Sequence, residues 1–150
     1  MLKEGDKAPN FKGIDQNNEP IELSNFSKKK LILYFYPKDD TPGCTKEACN
    51  LRDNYDALTK NNFAVVGVSA DTSAKHTKFI AKYNLPFSLL ADTEKEVIKS
   101  YNCLGLKKFM GREYEGILRK TFVIENNTII KIFEKVKTTD HFNQIIEALN

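Results

Sequence analysis

Two cysteines stand five residues apart in the segment Tyr34–Arg52, YFYPKDDTPGCTKEACNLR. Leu31–Tyr36 is a near-continuous apolar and aromatic run, the pattern of a strand buried on both faces. Pro37 stops that strand. Thr41 then stands as N-cap and Pro42 as first helical residue, which puts Cys44 in the opening turn of a helix. A junction at the carboxyl end of a central strand is where α/β sheets place ligands. The free N–H groups and positive dipole end of the first turn favour a thiolate over a thiol. Cysteines so placed have pKa values lowered from about 8.5 to roughly 3.5–7.5. Lys38 and Lys46 are near enough in sequence to help, whereas Asp39 and Asp40 oppose ionisation unless they point away. Cys44 is therefore a candidate nucleophile. Placement alone also allows a small buried hydrophobe, the commoner fate of a free cysteine.

Cys49 lies on the same predicted helix. In an ideal α-helix five residues give about 140° of rotation, ~7.5 Å of rise and ~8.7 Å between Cα atoms. A disulfide needs Cα atoms within about 7 Å. The two thiols cannot bond while the helix is intact, but can if its first turns unwind. The spacing predicts a two-state element: a helix with separate thiols, or an unwound segment with a disulfide. Helix packing is the plain alternative for Cys49. The C-x4-C spacing is not the C-x-x-C of dithiol oxidoreductases. It is also a poor zinc motif, because only Cys103, His76 and His141 remain as soft ligands and none is paired. Both histidines read as surface residues of amphipathic helices. Cys103 reads as a packing residue after a helix.

The elements that must hold this segment alternate. After the strand at Leu31–Tyr36, the helix from Thr41 continues to about Lys60, with Leu51, Tyr55 and Leu58 on one face. Phe63–Ser69 is a second buried strand. A second helix runs from about Thr72 to Tyr83, with Thr72 or Ser73 as cap. Phe87–Leu90 is a short strand, and Asp92 or Thr93 caps a third helix ending near Tyr101. Residues 102–116, with three glycines, read as a long loop containing at most a short strand. Arg119–Ile124 and Ile129–Glu134 form an antiparallel hairpin. Thr139 or Asp140 caps a last helix with Phe142, Ile145, Ile146 and Leu149 as its apolar stripe. The order implies a central mixed sheet flanked by helices in three layers.

Composition sets the outer limits. The chain has 150 residues, a formal net charge of +3, 29% charged and 41% hydrophobic residues. That suits a single folded domain over residues 1–150 and argues against disorder. The charge is too small to imply nucleic acid, and the lysines form no patch interleaved with aromatics. The longest strongly apolar run is Leu31–Tyr36, where a membrane span needs ~20 residues. The N-terminus carries no apolar signal segment, so the expected location is the cytoplasm. An odd number of cysteines in a reducing compartment is not a disulfide scaffold.

Pro37-x3-Thr41-x2-Cys44 resembles the active-site signature of the peroxiredoxins. The longer string FYPKDDTPGCTKEACNLRD is similar to the bacterioferritin-comigratory-protein group, also called peroxiredoxin Q. The likeness extends to Gly5-Asp6-x-Ala8-Pro9-x-Phe11, to Val66-Gly67-Val68-Ser69-x-Asp71, and to Phe109-Met110-Gly111 with Gly116-Ile117-x-Arg119-x-Thr121-Phe122. The resemblance implies a thioredoxin-like α/β fold with an N-terminal β-hairpin extension. It implies a thiol peroxidase that needs no metal, haem or flavin.

In the roles the resemblance implies, Cys44 is the peroxidatic residue. Thr41 hydrogen-bonds the sulfur and the peroxide, Pro37 shields the sulfur, and Arg119 holds the thiolate and polarises the O–O bond. Cys49 is the resolving residue. Each role has a plainer rival. Thr41 caps a helix, Pro37 ends a strand, and Arg119 snorkels at a sheet edge. The implied substrates are hydrogen peroxide and organic hydroperoxides, the implied reductant is thioredoxin or a similar dithiol, and the implied assembly is a monomer or weak homodimer. Tyr34, Phe35, Tyr36 and Phe109 suit an apolar substrate or else belong to the core. A redox-sensing interaction protein and a protein disulfide oxidoreductase are the rival functions. Catalytic peroxide turnover separates the first and insulin reduction without peroxide the second.

Overall fold

The computed structural model describes residues 1–149. Its centre is a five-stranded sheet in the order β5(Ser88–Ala91), β4(Phe63–Ser69), β3(Lys30–Phe35), β8(Lys120–Glu125), β9(Thr128–Phe133). β3, β4 and β5 run parallel, while β8 pairs antiparallel with both β3 and β9. The sheet is therefore mixed, as its alternating strands and helices imply.

β3 sits in the middle, which is why its sequence shows no polar alternation. Leu31, Leu33 and Phe35 enter one buried cluster; Ile32, Tyr34 and Tyr36 enter another on the opposite face. The first cluster is closed by α4(Glu96–Ser100) and the N-terminal segment, through Val97, Ile98, Tyr101, Phe11, Ile21 and Leu23. The second is closed by α1(Pro42–Asp53), α2(Tyr55–Lys60), α3(Ser73–Tyr83) and α5(His141–Leu149). The N-terminal extension is a short hairpin of β1(Lys12–Ile14) and β2(Pro20–Glu22), followed by a 3-10 turn at Leu23–Phe26.

Several boundaries differ from the sequence expectation, each for a local reason. The helix expected to reach Lys60 breaks at Asn54, whose side-chain amide donates to Asn50 O at 2.9 Å. The third helix starts later than Asp92 or Thr93. Its N-cap is Lys95 in the left-handed region (φ 60°), while the Asp92 carboxylate accepts from Ile98 N at 2.8 Å. The segment expected as a loop forms a two-stranded hairpin, β6(Leu104–Phe109) with β7(Arg112–Ile117), turning at Met110-Gly111. Both turn residues have positive φ, which sets the twist a two-residue hairpin turn needs. Its glycines mark close contacts and a turn rather than absence of structure. Asn126-Asn127 turns the β8–β9 hairpin in the same way. Thr72 caps α3 as expected, accepting from Lys75 N at 3.3 Å. Among the described residues no helix is long and apolar enough to cross a membrane.

Candidate active site

Cys44 occupies the third position of α1, directly beyond the carboxyl end of β3. Pro37, half-buried, lies in the turn between the two elements. Thr41 has the extended backbone of an N-cap (φ −99°, ψ 156°), yet its hydroxyl does not cap the helix. It donates instead to Lys38 O at 2.8 Å. The expected side-chain cap is thus absent, and the sulfur is not the partner of that hydroxyl. The opening amides of α1 are left without a side-chain acceptor, a ready place for negative charge.

The two acids before the helix do point away. Asp39 accepts from the Tyr36 hydroxyl at 2.5 Å and meets His76 Nδ1 at 2.6 Å. Asp40 accepts from Lys82 at 2.7 Å and from the Tyr83 hydroxyl at 2.8 Å; these contacts hold its carboxyl below the usual range. Lys38 and Lys46 are exposed. The cation at the sulfur is Arg119, whose Nη2 donates to Cys44 Sγ at 3.2 Å. Register explains this meeting of residues 75 apart in sequence. β8 pairs with β3 so that Lys120 stands opposite Phe35, and the residue before Lys120 overhangs the start of α1. Gly43 leaves room for the guanidinium: a Cβ there would lie 3.1 Å from Arg119 Nη2.

Two groups missed by the sequence reading complete the cluster. Glu47, fully buried, accepts from Arg119 Nη1 at 2.7 Å. Burial raises its pKa to about 7 despite the pull of Arg119. His141, expected at the surface, is fully buried at the start of α5. Its Nε2 lies 2.8 Å from Thr121 Oγ1 and 3.7 Å from Glu47 Oε2, and burial pushes its pKa down to about 4. The signal for both was periodicity. Cys44, Glu47, Ala48 and Leu51 share one helical stripe, and His141 shares another with Ile145. A polar residue inside an apolar stripe must find a partner in the core.

His76 is also buried rather than exposed; besides Asp39 it meets Leu90 O at 3.1 Å. With Asp71 these groups form a compact set of metal-ligand type, but each is engaged by protein. Asp71 Oδ2 accepts from Asp39 N at 2.8 Å and from the Ser69 hydroxyl at 2.7 Å. The set ties the turn before α1 to β4 and α3.

Cys49 is half-buried and Cys103 buried, and all three cysteines are free thiols. α1 is unbroken through Cys44 and Cys49, so the two thiols are held apart as expected for the folded helix. Cys103 belongs to the core cluster opposite α1, and burial raises its pKa to about 12, which suits a packing residue. Tyr34, Phe35 and Tyr36 are core as well. Phe109 is exposed on the β6–β7 hairpin, together with Leu106 and Met110.

The family profile described as "AhpC/TSA family" matches residues 4–133. The chain is 42% identical over 146 residues to a Bacillus subtilis protein named peroxiredoxin Bcp, covering 97% of this chain and 93% of that one. It is 41% identical over 149 residues to peroxiredoxin Bcp of Escherichia coli, covering 99% and 96%. Among solved structures, a PrxQ mutant from Xylella fastidiosa superposes with a TM-score of 0.93 at 28% identity, covering 99% of this chain and 96% of that one. Peroxiredoxin Q of Xanthomonas campestris gives 0.86 at 28% identity, covering 93% and 89%. The fold is thus the thioredoxin-like one that the sequence motifs resemble.

Proposed function

The chain belongs to the AhpC/TSA family, and from that membership we propose that it is a thiol peroxidase in which Cys44 reduces hydroperoxides. The observation that carries this reading is the Arg119 guanidinium 3.2 Å from a sulfur buried in the first turn of α1. A cation and open helix amides stabilise negative charge where the sulfur reacts.

The thiolate attacks the terminal oxygen of ROOH, the O–O bond breaks, and a sulfenic acid and RO⁻ result; RO⁻ takes a proton to leave as ROH. Charge develops on both peroxide oxygens in the transition state. Arg119 and the opening amides of α1 are aimed at that charge. The Thr41 hydroxyl spends its one hydrogen on Lys38 O, so toward a substrate it offers lone pairs and accepts from the peroxide O–H. Pro37 walls the turn against water. The first turns of α1 then unwind, Cys49 condenses with the sulfenic acid, and water leaves as the disulfide forms. A dithiol protein such as thioredoxin reduces it by exchange. These thiols suit a reducing compartment such as the cytoplasm.

A mixture of thioredoxin, thioredoxin reductase and NADPH is expected to consume peroxide catalytically with the wild-type chain and not with Cys44→Ser. Cys49→Ser is expected to undergo one oxidation and then stall. Absence of turnover by the wild type would end the peroxidase reading; undiminished recycling by Cys49→Ser would end the role given to Cys49.

A further inference from the structure

The peptide unit that joins Lys38 to Asp39 is bonded on both sides. Its carbonyl, Lys38 O, accepts from the Thr41 hydroxyl at 2.8 Å. Its N–H, Asp39 N, donates to Asp71 Oδ2 at 2.8 Å. One planar group thus connects the hydroxyl of the residue that opens α1 to a carboxylate on the loop after β4. β3 and β4 are parallel neighbours, so the turn after one and the loop after the other leave the sheet at the same edge.

The carboxylate is itself aimed. Ser69, fully buried at the end of β4, donates from its hydroxyl to Asp71 Oδ2 at 2.7 Å and accepts from Asp71 N at 3.2 Å. The Ser69-x-Asp71 spacing seen in the sequence therefore turns an acid toward the segment before α1. The rest of that segment is held independently. The Asp39 side chain is taken by Tyr36 and His76, and that of Asp40 by Lys82 and Tyr83. Asp40 lies in the left-handed region (φ 57°), and this reversal lets Thr41 reach back to Lys38 O.

A hydroxyl has one hydrogen and two lone pairs. With its hydrogen fixed on Lys38 O, Thr41 meets whatever enters the site as an acceptor. A carboxylate on the N–H side of the peptide polarises it and strengthens Lys38 O in turn. Without that partner the peptide plane is free to tilt. A hydroxyl released from Lys38 O is then free to aim its hydrogen at the peroxide, whose O–H needs a lone pair. We propose that Asp71 is a positioning residue for peroxide attack, acting through the Lys38–Asp39 peptide to hold the Thr41 hydroxyl as an acceptor.

This rests on Cys44 being the reacting sulfur, a reading that wild-type peroxide turnover tests by itself. The rate of hydrogen peroxide attack on the reduced chain, followed through one turnover, is expected to fall about tenfold in Thr41→Val and about fivefold in Asp71→Ala, the sizes of a lost and a loosened neutral hydrogen bond. Because Asp71 acts through Thr41, the double variant is expected to be no slower than Thr41→Val, where independent effects would multiply to about fiftyfold. Asp71→Asn, which keeps an acceptor oxygen, is expected to stay within about twofold of wild type. Iodoacetamide has no O–H for Thr41 to accept, so its alkylation of Cys44 is expected to keep its rate in Asp71→Ala; a general loosening of α1 would change it. Vicinal couplings in the wild type are expected to show a single Thr41 χ1 rotamer. Averaged couplings in the wild type, unchanged peroxide attack in Thr41→Val or Asp71→Ala, or multiplied losses in the double variant would each overturn the proposal. So would Asp71→Asn as slow as Asp71→Ala, or alkylation slowed in parallel with peroxide attack. The wild-type couplings and Asp71→Asn decide the matter even if Asp71→Ala does not fold.

Discussion

The Arg119 side chain bonds a thiol sulfur and a carboxylate at once, at 3.2 and 2.7 Å. Removing it strips Cys44 of its cation and leaves Glu47 alone in the core. Breaking a buried pair from one side costs about 3–5 kcal/mol, less whatever Glu47 recovers by taking a proton. Arg119→Met is expected to lower the denaturation midpoint and slow peroxide attack at least tenfold. Adding Glu47→Gln should recover stability but not rate, because the sulfur still has no cation. Recovery of rate in the double variant would assign Arg119 a structural role only. Of the cluster, Cys44 was legible from its place at a strand-to-helix junction, and Arg119 only through the family resemblance. Glu47 and His141 were not, because charged and imidazole side chains on helices are usually solvated. Their place in an apolar stripe was the available clue.

At the level of elements, α1 must be stable enough to hold the sulfur yet able to unwind. Its partners define where it is tied. Asn50, next to Cys49, accepts from Phe142 N at 2.7 Å and donates to Thr139 O at 3.3 Å, so it caps α5 from another helix. The sequence reading placed that cap on Thr139 or Asp140. Arg52 Nη1 donates to Tyr83 O at 2.7 Å, joining the end of α1 to α3. Moving Cys49 toward Cys44 must disturb the Asn50 link. Asn50→Ala is expected to cost about 0.5–2 kcal/mol in chemical denaturation, the range for a lost cap. It is also expected to speed Cys44–Cys49 disulfide formation after one oxidant pulse, followed by mass spectrometry of trapped thiols. Slower disulfide formation would show that Asn50 guides the unwinding rather than resisting it.

Across the whole molecule, two of the buried titrating groups, Glu47 and His141, oppose each other. Glu47 rises from 4.5 to about 7 on folding. Between those values the folded chain binds the proton and the unfolded chain does not, so stability falls as pH rises. His141 drops from 6.5 to about 4. Between those values the unfolded chain binds the proton, so stability falls as pH falls. The slopes nearly cancel where the windows overlap. Glu47→Gln is expected to lose stability as pH drops from 6.5 toward 4, and His141→Phe as pH rises from 4.5 toward 7. Each slope is on the order of 1 kcal/mol per pH unit. Urea midpoints measured across this range check both signs, and parallel pH profiles for the two variants would refute the opposition.

The alternation of central strands and helices, the burial of β3 on both faces and the position of Cys44 in the first turn of a helix were determined by the sequence alone, whereas the β6–β7 hairpin was not. Apolar period, proline and cap residues act within a few positions, so local chemistry suffices to place them. Only the tertiary structure decided what surrounds the sulfur. Arg119 arrives through β8–β3 register, His141 through the packing of α5 on α1, and the acids before α1 turn toward α3. These contacts join residues tens of positions apart. Their energies come from burial and charge pairing that exist only once the sheet has closed, and no local pattern encodes which distant partner each buried charge will meet.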